Sequence, residues 1–474
     1  MSRDESISAV AGAAAVEAVQ QVRAAAGSVV DDVAAGRWRR AGLVGLTVGV
    51  VAAGAAAGVA VERMTLGRDM RRRASIEVDA AAVFGSLRGR PQTVSAPDGT
   101  ELYVELDGSG WTTGPAAVPE AAQAAASDPT QSSGRKGWLG RLRPAGGHSS
   151  AAGPLGGVLS GVGSWLGMTP TQPLTVVFCH GYCLNQDSWH FQRAALREGL
   201  RLVFWDQRSH GRSERSRSHL DGQPTAIDQL GGDLKAVLDA VAPTGPLVLV
   251  GHSMGGMTVM ALADQHPELF AERVAAVALI GTTSGSWSGV TLGLPAYGAR
   301  MLHRIGPSLL KALGRQRDLV ERSRRFGSDF TSVLYRKFSF GTEDVDPAVE
   351  RFAQRMLEAT PIDVVAEFFP AFDLHEKKAA LAAFRGIPTL VMGGTRDLLT
   401  PIEHSEAIAA ELPDAELVVV QDAGHLLMLE RPDLVNARLA LLLEQAARRS
   451  GAPLPQAVRD LMPGQSEPGA VPQL

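Results

Sequence analysis

The stretch "LVLVGHSMGGMTVM", residues 247–260, decides the fold. It begins as an apolar run over 247–250, short enough for a buried strand. It turns on Gly251 and Gly255 and resumes as an apolar helical pattern from Met254. A strand that feeds a helix through so tight a turn forces the residue at its apex, Ser253, into a strained backbone and exposes its hydroxyl. Glycines two positions before and two after are needed because side chains there would strike neighbouring backbone. A Gly-x-Ser-x-Gly pattern also recurs by chance. Here "PLVLV" precedes it and "MGGMTVMALA" follows, which supplies the strand and the helix that the turn requires. Ser253 is therefore read as a nucleophile.

An attacking serine needs a base to take its proton, a group to orient that base, and donors for the oxyanion. The segment "LVVVQDAGHLLMLERPD" places His425 just past an apolar run, and "TLVMGGTRDLLTP" places Asp397 just past another. An imidazole with an ordinary pKa near ~6.5 suits a base working around neutrality. Asp397 would accept its second ring N–H and fix the tautomer. Asp422 is a rival acid but lies on the histidine's own loop, and "LIGTTSG" (279–285) holds no carboxylate. His210 and His252 are rival bases, read as structural residues beside the site.

From residue 173 onward strands and helices alternate. Apolar strands read at 174–179, 201–205, 246–250, 274–280, 387–392 and 416–420, with helices such as 226–241, 254–265 and 427–447 between or after them. That alternation predicts an α/β fold, a mostly parallel sheet with helices on both faces. Ahead of it, "VSAPDGTELYVELDGSG" (94–110) reads as a hairpin about an Asp-Gly turn. Roughly 282–385 carries helical periodicity without strands, so a helical excursion leaves the sheet and returns.

These motifs resemble those of the α/β-hydrolase superfamily over about 90–110 and 173–447. "VVFCHGYC" gives His180-Gly181 after an early strand. "FWDQRSHGRS" gives Asp206, Arg208, His210, Gly211 and Ser213, similar to the family's Asp-x-x-Gly-x-Gly-x-Ser loop, with Ser209 where that loop has glycine. The order Ser253, Asp397, His425 is the order this fold uses. The resemblance implies oxyanion donors in the backbone N–H groups of Tyr182 and Met254. It places His180, Gly181, Cys183 and His252 around the substrate pocket and makes 282–385 an inserted helical cap. It implies a serine hydrolase of carboxylic esters that forms an acyl-enzyme and needs neither metal nor cofactor. The elbow Gly-His-Ser-Met-Gly-Gly is similar to that of monoacylglycerol lipases, hence lipid-like acyl esters as a substrate class. A cofactor-free perhydrolase or haloperoxidase, which uses the same residues, and a non-catalytic binding protein on this fold are the alternatives. Serine rather than aspartate at the elbow argues against epoxide hydrolysis.

The remaining chain bears on location. Residues 41–61, "AGLVGLTVGVVAAGAAAGVAV", carry no charge and are closed by arginines on both sides. As a helix they would span roughly 30 Å, the thickness of a bilayer core. Forty residues precede them, so an uncleaved single-pass membrane anchor, in a bacterial cell membrane, fits better than a signal peptide. The flanking arginines leave its orientation open. Gly45/Gly49 and Gly54/Gly58 repeat at a spacing that would let two such helices form a weak homodimer.

The domain reading is thus a helical tail at 1–40, the transmembrane helix at 41–61, a juxtamembrane linker at 62–90, the hydrolase domain at 91–447 and a Pro-rich tail at 448–474. Within the domain, 109–172 is a low-complexity insertion, expected to lack order, whose Trp138 and Trp165 offer membrane contact. In the cap, segment 300–337 holds ten Lys/Arg against three acids, enough to face anionic headgroups or simply to form a solvated helix face. A net charge of −4 gives no reason to expect nucleic acid as a partner. The two cysteines, Cys179 and Cys183, exclude a disulfide framework and read as buried free thiols.

Overall fold

The computed structural model describes residues 84–111, 172–285 and 335–463. The expectations for 1–40, the anchor at 41–61, most of the linker at 62–90, the insertion from 112 to 171, the cap from 286 to 334 and the tail beyond 463 lie outside the described residues. Among the described residues no helix is long and apolar enough to cross a membrane.

Among the described residues eight strands form one sheet in the order β1-β2-β4-β3-β5-β6-β7-β8. They are β1 (Arg90–Ser95), β2 (Glu101–Gly108), β3 (Thr175–Cys179), β4 (Arg201–Trp205), β5 (Leu247–His252), β6 (Val274–Ile280), β7 (Thr389–Gly394) and β8 (Glu416–Val420). The hairpin β1–β2 turns at Asp98-Gly99, with Gly99 at φ +82, and β2 joins β4 antiparallel. From β4 to β8 every pairing is parallel. Strands β3, β5, β6 and β7 are buried along their whole length, which is why they read as unbroken apolar runs rather than alternating ones.

After β3 the chain passes to β4 on one side of it and then to β5 on the other. The strand order reverses there, and in parallel sheets the crevice at the carboxyl ends of such strands is where ligands bind. Cys179 and His252 are those ends. Beyond them lie His180-Gly181 and Ser253.

Among the described residues the longer helices are α1 (His190–Leu196), α2 (Ile227–Val241), α3 (Met254–Gln265), α4 (Pro347–Ala359), α5 (Ile362–Asp373), α6 (Ile402–Glu411) and α7 (Pro432–Ser450). Helices α4 and α5 belong to the excursion between β6 and β7. Helix α4 buries Val349, Phe352 and Met356 in the main core, whereas α5 sets Val364, Phe368 and Phe372 against Met254 and Met257 of the elbow helix.

Three boundaries differ from the sequence reading. The helix expected at 427–447 is two, a short one at Leu427–Glu430 and then α7, because Pro432 has no N–H to continue the ladder and Arg431 before it leaves the helical region, at φ −131 and ψ 55. The tail does not leave the domain at 448. Helix α7 runs to Ser450, and Val458 of a following short helix is fully buried in the core, with Leu454, Leu461 and Met462 packed beside it. At the other end Phe84, inside the expected linker, already packs on Phe191 and Phe352.

Candidate active site

Ser253 stands between β5 and α3 at φ 51, ψ −118, a backbone that a side chain rarely adopts and that persists only when its surroundings impose it. They do. A Cβ on Gly251 would lie 2.6 Å from the backbone of Gly255 and Gly256, and one on Gly255 would lie 2.1 Å from the carbonyl oxygen of Cys179. The Ser253 N–H donates to Ile280 O at 2.9 Å and its carbonyl accepts from Thr282 Oγ1 at 2.7 Å, so the turn is fastened to β6 and the residues after it. Met254 opens α3, so its N–H has no carbonyl one turn back to bond.

The loop after β3 passes directly over the elbow. A Cβ on Gly181 would lie 3.2 Å from Ser253 Cβ and 2.7 Å from His252 Nδ1. His180, fully buried, pins this loop. Its Nε2 accepts from the Gln207 N–H at 2.9 Å and its Nδ1–H donates to Gly181 O at 2.8 Å. Gln207 extends the brace, donating through its side-chain amide to His180 O and accepting from Thr258 of α3 at 2.7 Å. Tyr182 then reaches across to donate its hydroxyl to Val365 O of α5. Burial, with the neighbouring Cys183, pushes its phenol well above the ordinary range.

His425 and Asp397 meet beyond the ends of β8 and β7. The His425 Nδ1–H donates to Asp397 Oδ2 at 2.8 Å, which leaves Nε2 as the unprotonated nitrogen. Asp397 accepts three further bonds, from Leu399 N–H at 2.8 Å, Thr400 N–H at 2.9 Å and Thr400 Oγ1 at 2.7 Å. Burial alone would raise its pKa, but the His425 ring and these donors hold it below the ordinary carboxylate value. Asp422 is exposed and paired with Arg396 at 2.6 Å, so the rival acid is engaged elsewhere. His210 is buried, bonds Arg208 O, and is pushed down to about 4 by burial.

Ser253, His425 and Thr400 share one cavity of about 250 Å³. Its walls include Tyr182 and Cys183 from the loop after β3, Met257 from α3, and Phe369 and Phe372 from α5. Among the described residues no Asp, Glu, Lys or Arg lines it. Of the residues expected around the pocket, Cys183 is a wall, while His180, Gly181 and His252 lie behind it. His252 turns into the core instead, where its Nε2–H donates to the His425 carbonyl at 2.9 Å. Both cysteines are buried and neither forms a disulfide.

The sequence reading missed Thr400, Gln207 and Glu430. Thr400 carried a local signal, as a hydroxyl three residues after the acid at a strand end. Glu430 did too, as a lone acid in the apolar run "HLLMLERP". Gln207 carried none, because its partners are distant in sequence.

The family model described as alpha/beta hydrolase fold matches residues 175–432. The chain is 23% identical over 268 residues to the AB hydrolase superfamily protein YisY of Bacillus subtilis, covering 56% of this chain and 90% of that one. It is 28% identical over 272 residues to the sn-1-specific diacylglycerol lipase ABHD11 of Mus musculus, covering 56% of this chain and 80% of that one. Among solved structures, a thermophilic esterase from Thermogutta terrifontis matches with 21% identity and a TM-score of 0.48, over 75% of this chain and 98% of that one.

Proposed function

Because the chain belongs to the alpha/beta hydrolase fold family and is a hydrolase of that family, we propose that it cleaves carboxylic esters with apolar acyl groups through Ser253. The carrying observation is the buried Asp397–His425 pair, whose histidine lines the same apolar cavity as Ser253. Ser253 Oγ attacks the ester carbonyl carbon while His425 Nε2 takes its proton. The oxyanion forms against the backbone N–H groups of Met254 and Tyr182. Collapse breaks the C–O bond, and His425 returns the proton to the departing alcohol. Water, activated by the same nitrogen, then releases the acid from the acyl-enzyme. Asp397 stays ionised and keeps the ring proton on Nδ1.

The cavity walls favour a neutral, apolar acyl chain, since no cation stands among the described lining residues to pair a carboxylate. A diacylglycerol lipase among the relatives fits that class. Residues 41–61 would anchor this activity to the cell membrane as a single span, with Gly45, Gly49, Gly54 and Gly58 available for a weak homodimer contact. Support for the anchor is the charge-free run and its arginine flanks. Deletion of 41–61 then moves the protein from the alkaline-washed membrane fraction to the supernatant. If the deletion leaves it in the membrane, the anchor lies elsewhere.

A fluorophosphonate probe tests the catalytic reading. Labelling of the wild type, abolished in Ser253→Ala, is the expected result. An unlabelled wild type overturns it.

A further inference from the structure

Helix α5 carries a carboxylate that the proposed chemistry does not use. Glu367 sits in the otherwise apolar run "VVAEFF" and its side chain is fully enclosed. Burying an ionised carboxylate is costly unless its oxygens are paired and hydrogen-bonded. Here all of its polar partners come from the chain after β4. Ser209 Oγ lies 3.1 and 3.2 Å from the two oxygens, Thr225 Oγ1 is 3.2 Å from Oε1, and Arg215 Nη2 is 3.1 Å from Oε2. Arg215 also reaches Asp363, one turn earlier on the same face of α5, at 3.0 Å.

Ser209 is the position where the resembling family loop has glycine. It keeps the left-handed backbone, φ 64, that glycine would adopt without strain. Its hydroxyl is used at both ends: the oxygen accepts from Ser216 N–H at 3.0 Å and the proton goes to Glu367. The strained backbone is therefore kept together with a side chain whose one long-range contact is the cap helix. A different face of α5 carries Phe369 and Phe372, two walls of the cavity, and Tyr182 fastens the same helix to the oxyanion loop through Val365 O.

We propose that the Ser209–Glu367 contact fixes where α5 stands over the nucleophile, and that these two residues thereby set the length of acyl chain the cavity accepts. The proposal rests on the ester-hydrolase reading of Ser253. Separating α5 from the loop would leave Glu367 and Arg215 without their partners inside the protein, so this side of the cap is a fixed wall during turnover. A fixed wall selects substrates by size. A wall released from the loop moves outward and admits longer chains.

The test compares p-nitrophenyl acetate with p-nitrophenyl octanoate on the full-length, detergent-solubilised protein carrying Ser209→Gly, Glu367→Gln or both. Glycine relieves the left-handed backbone, so Ser209→Gly is expected to leave the melting temperature close to wild type. It should still raise the octanoate-to-acetate ratio of kcat/KM by about fivefold or more. Glu367→Gln is expected to move the ratio the same way, and the double variant to go no further than the larger single change, as two residues acting through one contact must. Ratios within about twofold of wild type in both singles, or effects that multiply in the double variant, overturn the proposal. If the wild type cleaves neither ester, the ester-hydrolase reading has failed. The contact is then judged by amide hydrogen exchange across Ile362–Asp373: faster exchange in both singles supports it, and unchanged exchange overturns it.

Discussion

The Glu430 carboxylate lies 2.8 Å from the backbone N–H of Gly424, the residue immediately before His425. The same carboxylate accepts from Gly341 N–H at 3.1 Å and Thr342 N–H at 3.0 Å, on the segment that leads into α4. The two backbones touch, since a Cβ on Gly424 would lie 2.5 Å from Gly341 N. Glutamine at 430 would set an amide N–H₂ against at least one of these donors. Glu430→Gln is expected to lower the unfolding free energy by about 2 kcal/mol and kcat per titrated active site by about tenfold. Glu430→Asp, which keeps the charge, should recover part of the kcat. Urea denaturation and probe-titrated kinetics measure both, and an unchanged kcat per titrated site means that the histidine loop needs no such brace.

Asp397→Asn isolates the tautomer. The Oδ1 side of Asp397 faces two backbone N–H groups, so an amide would turn its oxygen there and present N–H₂ to His425. The ring would then accept at Nδ1 and carry its proton on Nε2, facing the serine with the wrong nitrogen state. A fall in kcat on the order of 10⁴ with little change in KM is expected. Steady-state kinetics decides, and a loss smaller than about tenfold would remove Asp397 from the role.

Much of this arrangement was legible before the structure. Strands β3, β5, β6 and β7 announced themselves because strands buried on both faces are unbroken apolar runs. The elbow was legible because a tight strand-to-helix turn demands its glycines. Asp397 and His425 stood at strand ends, where side chains can converge from distant parts of the chain. The unread contacts are those without a period. Ser209 meets Glu367 across 158 residues, and neither lies in a pattern that names its partner. The burial of Val458 after a stretch rich in proline was hidden for the opposite reason, since local composition argued for a free tail while a groove beside Gly199 accepts Pro455 and Val458. His252 was placed near the pocket by its position beside Ser253. The alternation of side chains along β5 turns it the other way, into the core.

Gly255→Ala tests whether the elbow's shape is imposed by contact. The added methyl would sit 2.1 Å from a backbone oxygen of β3, which has no room to retreat inside the sheet. A loss of at least about 3 kcal/mol in unfolding free energy is expected, together with loss of probe labelling. Gly386→Ala is the control. Gly386 is the reverse case, with a positive φ of 72° and nothing within 4 Å of the added Cβ, so only backbone strain of about 1 kcal/mol should appear. Thermal and urea denaturation of both variants separate the two causes. A loss in Gly255→Ala no larger than that in Gly386→Ala would mean that the elbow yields to the added methyl rather than colliding with it.

His252 links the site to acid stability. Burial first, and the nearby His425 second, push its imidazole down to about 3 in the folded chain. In the unfolded chain it titrates near ~6.5. Its folded value is depressed, so the neutral ring's contribution to stability is fully present above ~6.5 and is lost as pH falls toward the folded value. Across that window the unfolded chain binds one more proton at this position, worth up to about 1.4 kcal/mol per pH unit. Asparagine at 252 has a side-chain N–H to offer the His425 carbonyl and does not titrate. Between about pH 6 and pH 4.5, His252→Asn is therefore expected to flatten the fall of unfolding free energy by up to ~1.4 kcal/mol per pH unit. The variant still loses stability in acid, because burial also holds His180 near about 3 and His210 and His375 near about 4. Asp206, pushed up to about 6 by burial, opposes them in wild type and variant alike and cancels from the comparison. Urea denaturation of both proteins across this range gives the two slopes, and parallel slopes would mean that His252 is already protonated, or still neutral, in both states.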